Sequence, residues 1–513
     1  MYEPFGLCHE RCENGTKRAG FGTSNRARDA DNIVEFWTIA PDPFHREGVP
    51  LNTIAEASAP VATPAATAEF FGHPRGLAYI AFTEAWERFS FYGMQALLVL
   101  YMSGYLLHPG VVEQVAGFAG LRAAIEAVFG SLSTQALAAQ IFGLYIGLVY
   151  FVPIFGGLLG DHVMGRRRAV LLGAAVMAIG HFLMAFEAAF LPALAALIVG
   201  SGLLKGNLAA QVGALYAKDD RRRDSAYTAY CTAINVGAFV APLVCGTLGE
   251  FYGWHYGFGA AGIGMLIGIV IYLSGAKYLP AEGPRDAKLR ERPHMQPGDL
   301  RKVIVILVLL AITALFWTVQ TQVWNTYPVW LRDQVDRSLA FGWTLPVTWF
   351  QALDSLTVLL FAPLVMFVWR RQAQRGAEPG DLAKIALGCG FFAIACLLLS
   401  AGQWLAGGEQ VPVGWPILFH FICAASYLYV APIALALVSR AAPPAVNAMM
   451  VGSYYLGLFV GGIASGWLAR FYEPLGPVMF WMLHVLVAVA GSLSILVLKP
   501  MFVRVLELET RNC

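Results

Sequence analysis

Charge is what this sequence has least of. Lys, Arg, Asp and Glu make up 13% of its 513 residues, about half the ~25% of a soluble globular domain. A soluble domain is therefore excluded, and the near-balanced net charge of +2 marks neither a nucleic-acid nor an acidic partner. The eight cysteines are scattered: Cys231, Cys245, Cys389, Cys396 and Cys423 lie in apolar stretches, Cys8 and Cys12 near the start, and Cys513 at the end. That is no disulfide framework. Cys8-His9-x-x-Cys12 lacks the second half a metal site needs, so no metal is expected. No Gly-rich loop ending in Lys-Ser/Thr is present to cradle phosphates, which argues against an ATP-driven pump. No nucleophile–base pair stands out, so an enzyme finds no support. Residues 1–75 lack the apolar core of a signal peptide. Arg-rich early and Ala/Pro/Thr-rich from Ala57 to Ala68, they read as a disordered cytoplasmic tail.

What is abundant is apolar. Hydrophobic residues reach 58%, with 53 glycines and a mean hydropathy of +0.59. A hydrocarbon core of ~30 Å takes about 20 apolar residues per helix. Twelve stretches qualify: 77–105, 136–159, 168–189, 191–216, 226–249, 254–279, 302–330, 344–369, 382–406, 412–439, 447–470 and 475–498. They are long and uniformly apolar, unlike the ~10-residue alternating strands of a membrane barrel. An all-α integral membrane protein follows. Basic residues gather after the even-numbered spans: Arg166, Arg167 and Arg168; Lys218, Arg221, Arg222 and Arg223; Lys277 to Lys302; Arg370, Arg371 and Arg375; Arg440. The positive-inside rule then places both termini in the cytoplasm. A charged, Pro-containing segment divides the spans into six and six. The expected organisation is a tail (1–75), a first bundle (76–279), a linker (280–300), a second bundle (301–500) and a short C-terminal tail (501–513).

Span 1 breaks the apolar pattern. Glu84-Ala-Trp-Glu87-Arg88-Phe-Ser-Phe91-Tyr92-Gly93-Met94 puts three ionisable groups into five residues. Each costs roughly 2.5–3.5 kcal/mol at a bilayer centre. They must therefore face protein or water, which marks a functional site. On a helix Glu84, Arg88 and Tyr92 share one face, and Glu84 and Arg88 can pair at i, i+4. A carboxylate relieved of its arginine by a competing anion takes up a proton more readily. Such a cluster couples proton uptake to anion binding. Lys205, alone in span 4 with no nearby acid in sequence, also needs a partner or a depressed pKa.

The segment Gly156-Gly-Leu-Leu-Gly160-Asp161-His-Val-Met-Gly165-Arg166-Arg167-Arg168 resembles the loop signature of the major facilitator superfamily. That implies two six-helix halves around a midplane site. Asp161 there is expected to cap the next helix or to pair across the halves. With Gly200-Ser-Gly202-Leu-Leu-Lys205-Gly-Asn207, Asp224-Ser-Ala-Tyr227 through Asn235-Val-Gly237, and Pro346-Val-Thr-Trp349-Phe-Gln351-Ala-Leu-Asp354, the span 1 motif resembles the proton-dependent oligopeptide transporter family over about residues 77–500. The resemblance implies a proton-coupled importer of di- and tripeptides in the bacterial cytoplasmic membrane. It would be driven by the proton gradient without a cofactor, act as a monomer in lipid, and bind no nucleic acid.

The resemblance also implies roles. Glu84, Glu87 and Arg88 would couple protons. Arg88, Tyr92 and Lys205 would bind a peptide carboxylate, Tyr150 would contact substrate, and Asn235 would lie near the amino end. Trp317 and Tyr454 would wall the cavity. Two family acids are missing. The span 7 glutamate, expected just before Gln322, is Thr321, and its usual arginine partner, seven residues past Arg88, is Gln95. Losing both is nearly neutral where losing one strands a charge, so a Gln95–Thr321 hydrogen bond is expected at this gate. The span 10 glutamate, five residues before Pro432, is Tyr427. In span 8 Asp354 stands where the family has asparagine, and it is expected to hold the substrate ammonium or to pair with Lys205. The missing acids leave open another solute of the same fold: nitrate, an amino-acid derivative or a peptide-like drug. A non-transporting sensor is the third reading.

Overall fold

A computed structural model describes residues 69–217, 220–279, 294–339 and 342–508. The Cys8/Cys12 pair, Cys513, Lys218 and most of the expected tail and linker lie outside the described residues. The chain enters through a two-residue hairpin, β1 (Glu69–Phe70) with β2 (His73–Pro74). His73 Nδ1 lies 2.8 Å from the Tyr216 hydroxyl, and Arg222 binds both Glu69 and the Gly72 carbonyl. Residues Glu69 to Pro74, inside the tail expected from composition, are thus tied to the basic loops by polar contacts.

The first half comprises α1 (Arg75–Tyr101), the short amphipathic α2 (Phe118–Phe129), α3 (Thr134–Phe151) continued by α4 (Pro153–Leu159), α5 (Arg166–Leu183), α6 (Phe190–Ala214), α7 (Arg222–Ala241) and α8 (Trp254–Ser274). The second comprises α9 (Asp299–Thr321), α10 (Thr326–Gln334), α11 (Val347–Gln374), α12 (Asp381–Leu405), α13 (Gly414–Ala441), α14 (Asn447–Ala469) and α15 (Tyr472–Leu506). Ten described helical segments are long and apolar enough to cross a membrane. The other two long helices are α1, which carries the charged triad, and α5, which opens on three arginines. Together they occupy the twelve expected spans, in an all-α major facilitator arrangement. One helix is additional and two boundaries differ. Helix α2 lies between spans 1 and 2 and is too short to span. Helix α9 starts at Asp299, inside the expected linker. Helix α15 runs to Leu506, past the expected bundle edge. Within α15, Gly476 takes a positive φ of 69° that a side chain would resist, and Pro477 follows; the span proper starts there.

The halves meet along α3 against α14 and α7 against α11. At the first seam small residues allow backbone contact: a Cβ on Gly143 would stand 3.0 Å from the Gly466 amide nitrogen. Such approach is how helices associate where no hydrophobic drive exists. Contacts between halves gather at one end, away from the basic loops. Arg470 donates to the Phe129 carbonyl at 2.6 Å. Ser133 bonds Glu473, Arg332 reaches Ser103 at 3.3 Å, and Glu250 binds the start of α11. At the basic end, Arg440–Asp381, Lys302–Glu507 and Arg167–Leu279 each stay within one half. Asp161 also stays local: it pairs with Arg166 at 2.7 Å instead of capping α5 or crossing the halves. Both partners are solvent-exposed, so nothing draws the aspartate to a distant cation.

Candidate functional site

The span 1 triad is buried and closed on itself. Arg88 Nε donates to Glu84 Oε1 at 2.7 Å, and Glu87 Oε2 lies 2.8 Å from the same nitrogen. Glu84 and Glu87 are 1% and 0% exposed. The i, i+4 spacing places Glu84 one turn below Arg88. Lys205 on α6 stands beside this cluster, with Arg88, Glu87 and Glu84 as its charged neighbours. Its ammonium lies 4.0 Å from the Phe91 ring centre and 5.0 Å from that of Tyr150. It has no hydrogen-bond partner among the described residues. Cation–π attraction is worth ~2 kcal/mol when desolvated. It does not replace the hydrogen bonds an ammonium makes in water. The expected Lys205–Asp354 pair is not formed. Lys205 is held by the acids and rings of its own half, whereas Asp354 lies on the opposite side.

Asp354, on α11, faces α9 and α13. Its Oδ1 takes a long contact of 3.9 Å from the Cys423 thiol, which also lies 3.5 Å from Gln320, and Trp324 approaches the carboxylate. Between Asp354 and the triad stand tyrosines. Tyr92 neighbours Arg88, Tyr150, Tyr427 and Asp354, and its ring lies 5.1 Å from that of Trp324. Tyr427, in place of the missing span 10 acid, neighbours Tyr150 and Asp354. The arrangement is a basic pole on α1 and α6, an acidic pole on α11, and hydroxyl-bearing rings between them.

Three expected roles shift. Tyr454 is 4% exposed and donates to the Ala431 carbonyl at 3.0 Å, so its hydroxyl is spent inside the second half. Its neighbour Tyr455 is 41% exposed and stacks on Tyr150 at 6.4 Å. One residue of helix turns a side chain by about 100°, and that rotation gives the two tyrosines different neighbours, Ala431 for one and Tyr150 for the other. The Gln95–Thr321 hydrogen bond is absent. Thr321 donates back to the Trp317 carbonyl at 2.7 Å, and the Gln95 side-chain oxygen is buried without a partner. A threonine in a helix can satisfy itself on its own backbone, which removes the need for Gln95. Gln322 binds the Ser465 carbonyl within its own half, at 3.0 Å. The residue that crosses there is Asn325, bonded to the Ala139 carbonyl at 3.2 Å.

Asn235 is half-buried, and its amide donates to the Cys231 carbonyl one turn back at 2.9 Å. Cys231, on the same face, neighbours Tyr427 and Tyr455. Trp317 is buried, its ring 6.3 Å from those of Tyr427 and Tyr454. Tyr455, Cys231 and Asn325 escaped the sequence reading. A tyrosine doublet at 454–455 was the available signal for the first; the other two had none. A separate cavity of about 490 Å³ lies at the end where the halves touch, lined by Ser103, His108, Glu250, Arg332 and Arg337 among others. It contains none of the central residues.

The POT family model matches residues 167–293 and 293–477 of this chain. The chain is 26% identical over 506 residues to a peptide transporter, YePEPT, of Yersinia enterocolitica, covering 84% of this chain and 95% of that protein. It is 26% identical over 496 residues to a di-/tripeptide transporter of Lactococcus lactis subsp. cremoris, covering 84% and 96%. A crystal structure of a peptide transporter, POT, in complex with sulfate superposes with a TM-score of 0.74 at 28% identity, covering 86% of this chain and 97% of that one.

Proposed function

We propose that this chain, which belongs to the POT family, is a proton-coupled symporter that imports di- and tripeptides by alternating access. One observation carries the substrate class. Arg88 with a partnerless Lys205 forms a basic pole, and Asp354 faces it across Tyr92 and Tyr427. A short peptide is a zwitterion with its charges at its ends, so two opposed poles fix its backbone. The rings between them accept varied side chains. The names of the relatives favour peptides over nitrate or another solute.

Arg88 and Lys205 hold the peptide carboxylate, with the Tyr92 hydroxyl beside them. Asp354 holds the ammonium, a role its asparagine counterpart could fill only as a neutral acceptor. Tyr150, Tyr427 and Tyr455 line the side-chain space, with Trp317 behind them. When a substrate carboxylate draws the Arg88 guanidinium away, Glu84 and Glu87 lose their counter-charge while buried, and taking up a proton relieves them. Cargo and proton then move together, and the proton gradient supplies the work without a cofactor. The two six-helix units rock about the site. With contacts gathered away from the basic loops, the present state faces the cytoplasm under the positive-inside rule. A bacterial inner membrane, cytoplasmic termini and a single working chain complete the reading.

Uptake of labelled dialanine into proteoliposomes, with and without an inward proton gradient, tests it. Saturable uptake stimulated by the gradient and competed by unlabelled dipeptide is expected. No competable uptake under either condition refutes it.

A further inference from the structure

Helix α11 begins without a cap of its own. The residue preceding it is Pro346, and no side chain of the neighbouring sequence accepts from the first turn. The first four N–H groups of a helix have no partner inside it, and they carry partial positive charge. Here a carboxylate from the other half fills the gap. Glu250 Oε2 accepts from the Val347 amide at 2.9 Å. Glu250 Oε1 accepts from the Thr348 amide at 2.9 Å and from the Thr348 hydroxyl at 2.8 Å. A second contact flanks it: Trp349 Nε1 donates to the Thr247 hydroxyl at 2.8 Å. Helix α7 delivers both residues through two stretches of wider, π-helical turn, Pro242–Gly246 and Leu248–Tyr252, a distortion often found at functional positions. Gly246 leaves room for Thr348 to pack directly against the α7 backbone.

We propose that Glu250 is the latch of the outer gate: the helix cap of α11 is supplied across the halves, and only while this end is shut. The gate in which sequence resemblance leads one to expect an ion pair has neutral Gln95 and Thr321, which do not bond each other. The charged contact has its counterpart one seam away, between α7 and α11. Opening to the outside must orphan the α11 amides and release the carboxylate to water. The strength of this cap therefore sets the balance between the two facing states. Glu250 acts as a positioning residue: it lies at the cavity end, apart from the central poles.

The inference rests on the alternating-access reading, and its test reads the gate without any peptide. Spin labels at Val128→Cys on α2 and Trp404→Cys on α12, both exposed, report the outer opening by pulsed electron paramagnetic resonance. The full chain is held in lipid nanodiscs with its native cysteines replaced. Glu250→Ala should move the label distances outward, raising the outward-to-inward ratio about tenfold or more. Glu250→Gln, which keeps one acceptor oxygen, and Thr348→Val, which loses one of three bonds, should fall between that and the parent. In uptake assays Glu250→Gln should lower KM, because more carriers present the outward site, and lower Vmax, because the gate recloses less readily. If Glu250→Ala does not fold, the two milder variants carry the test. Distance distributions superposable on the parent in every folded variant overturn the proposal, whether or not dialanine is transported.

Discussion

Removing the Arg88 guanidinium while leaving its carboxylates tests whether the α1 cluster is an electrostatic unit. Glu84, Glu87, Arg88 and Lys205 sum formally to −2 + 2 = 0, and Arg88 Nε lies 2.7 and 2.8 Å from the two acids. Arg88→Met changes the sum to −2 + 1 = −1 around carboxylates that are at most 1% exposed. Taking one partner from a buried ion pair costs about 3–5 kcal/mol, whereas removing pairs together is near neutral. The double variant Glu87→Gln/Arg88→Met leaves Glu84 and Lys205, and its sum is again zero. It should recover about half of the loss, roughly 1.5–2.5 kcal/mol. Thermal unfolding in nanodiscs, followed by tryptophan fluorescence, measures the order: parent, then double, then single. Gradient-driven dialanine uptake should be absent from both variants, since both lack the group proposed to hold the peptide carboxylate. Equal unfolding temperatures for single and double would refute the account of the cluster. Uptake by the single variant at the parental rate would refute the role of Arg88.

Asp354→Asn should raise KM for dialanine by about tenfold, the loss of one charge-assisted contact, and change the pH profile of uptake. Unchanged KM and pH profile would remove Asp354 from the site. Tyr455→Ala should raise KM about two- to tenfold, the worth of one aromatic contact. Tyr454→Phe should leave KM alone and cost ~1 kcal/mol of stability through its bond to Ala431; the opposite pattern would reinstate Tyr454 as the cavity wall. Gly143→Val should collide with the Gly466 backbone and hold the outer end ajar. The expected result is folded protein with uptake below about a tenth of parental, and near-parental uptake would show that the seam can yield.

Much of the fold was legible because lipid imposes a simple rule. Twelve apolar stretches had to be helices, the charged, Pro-containing segment after the sixth set the six-and-six division, and the basic loops set the orientation. The edges were less legible. Residues 69–74 look like tail by composition, yet Arg222 and Tyr216 hold them. At the site, α1 was read correctly down to the Glu84–Arg88 pair, because i and i+4 meet on any helix. Contacts between helices were not read. The Gln95–Thr321 bond failed because Thr321 could satisfy itself locally. Tyr455, stacked on Tyr150 across the halves, was not picked out, because neighbouring residues on a helix point to different surroundings.

The span 1 motif, the twelve spans and the loop charges determined by themselves that this is a membrane protein with a charged cavity of a recognisable kind. Helical periodicity and the cost of burying charge act within a segment and need no partner. Tertiary structure set which groups stand beside each charge. Lys205 stays with Glu84, Glu87 and Arg88, and Asp354 stands apart to make the second pole. Glu250, unremarkable at the end of its span, becomes the cap of a helix nearly a hundred residues away. Such roles depend on which helix lies opposite, and that follows from how two bundles pack rather than from the order of residues along either one.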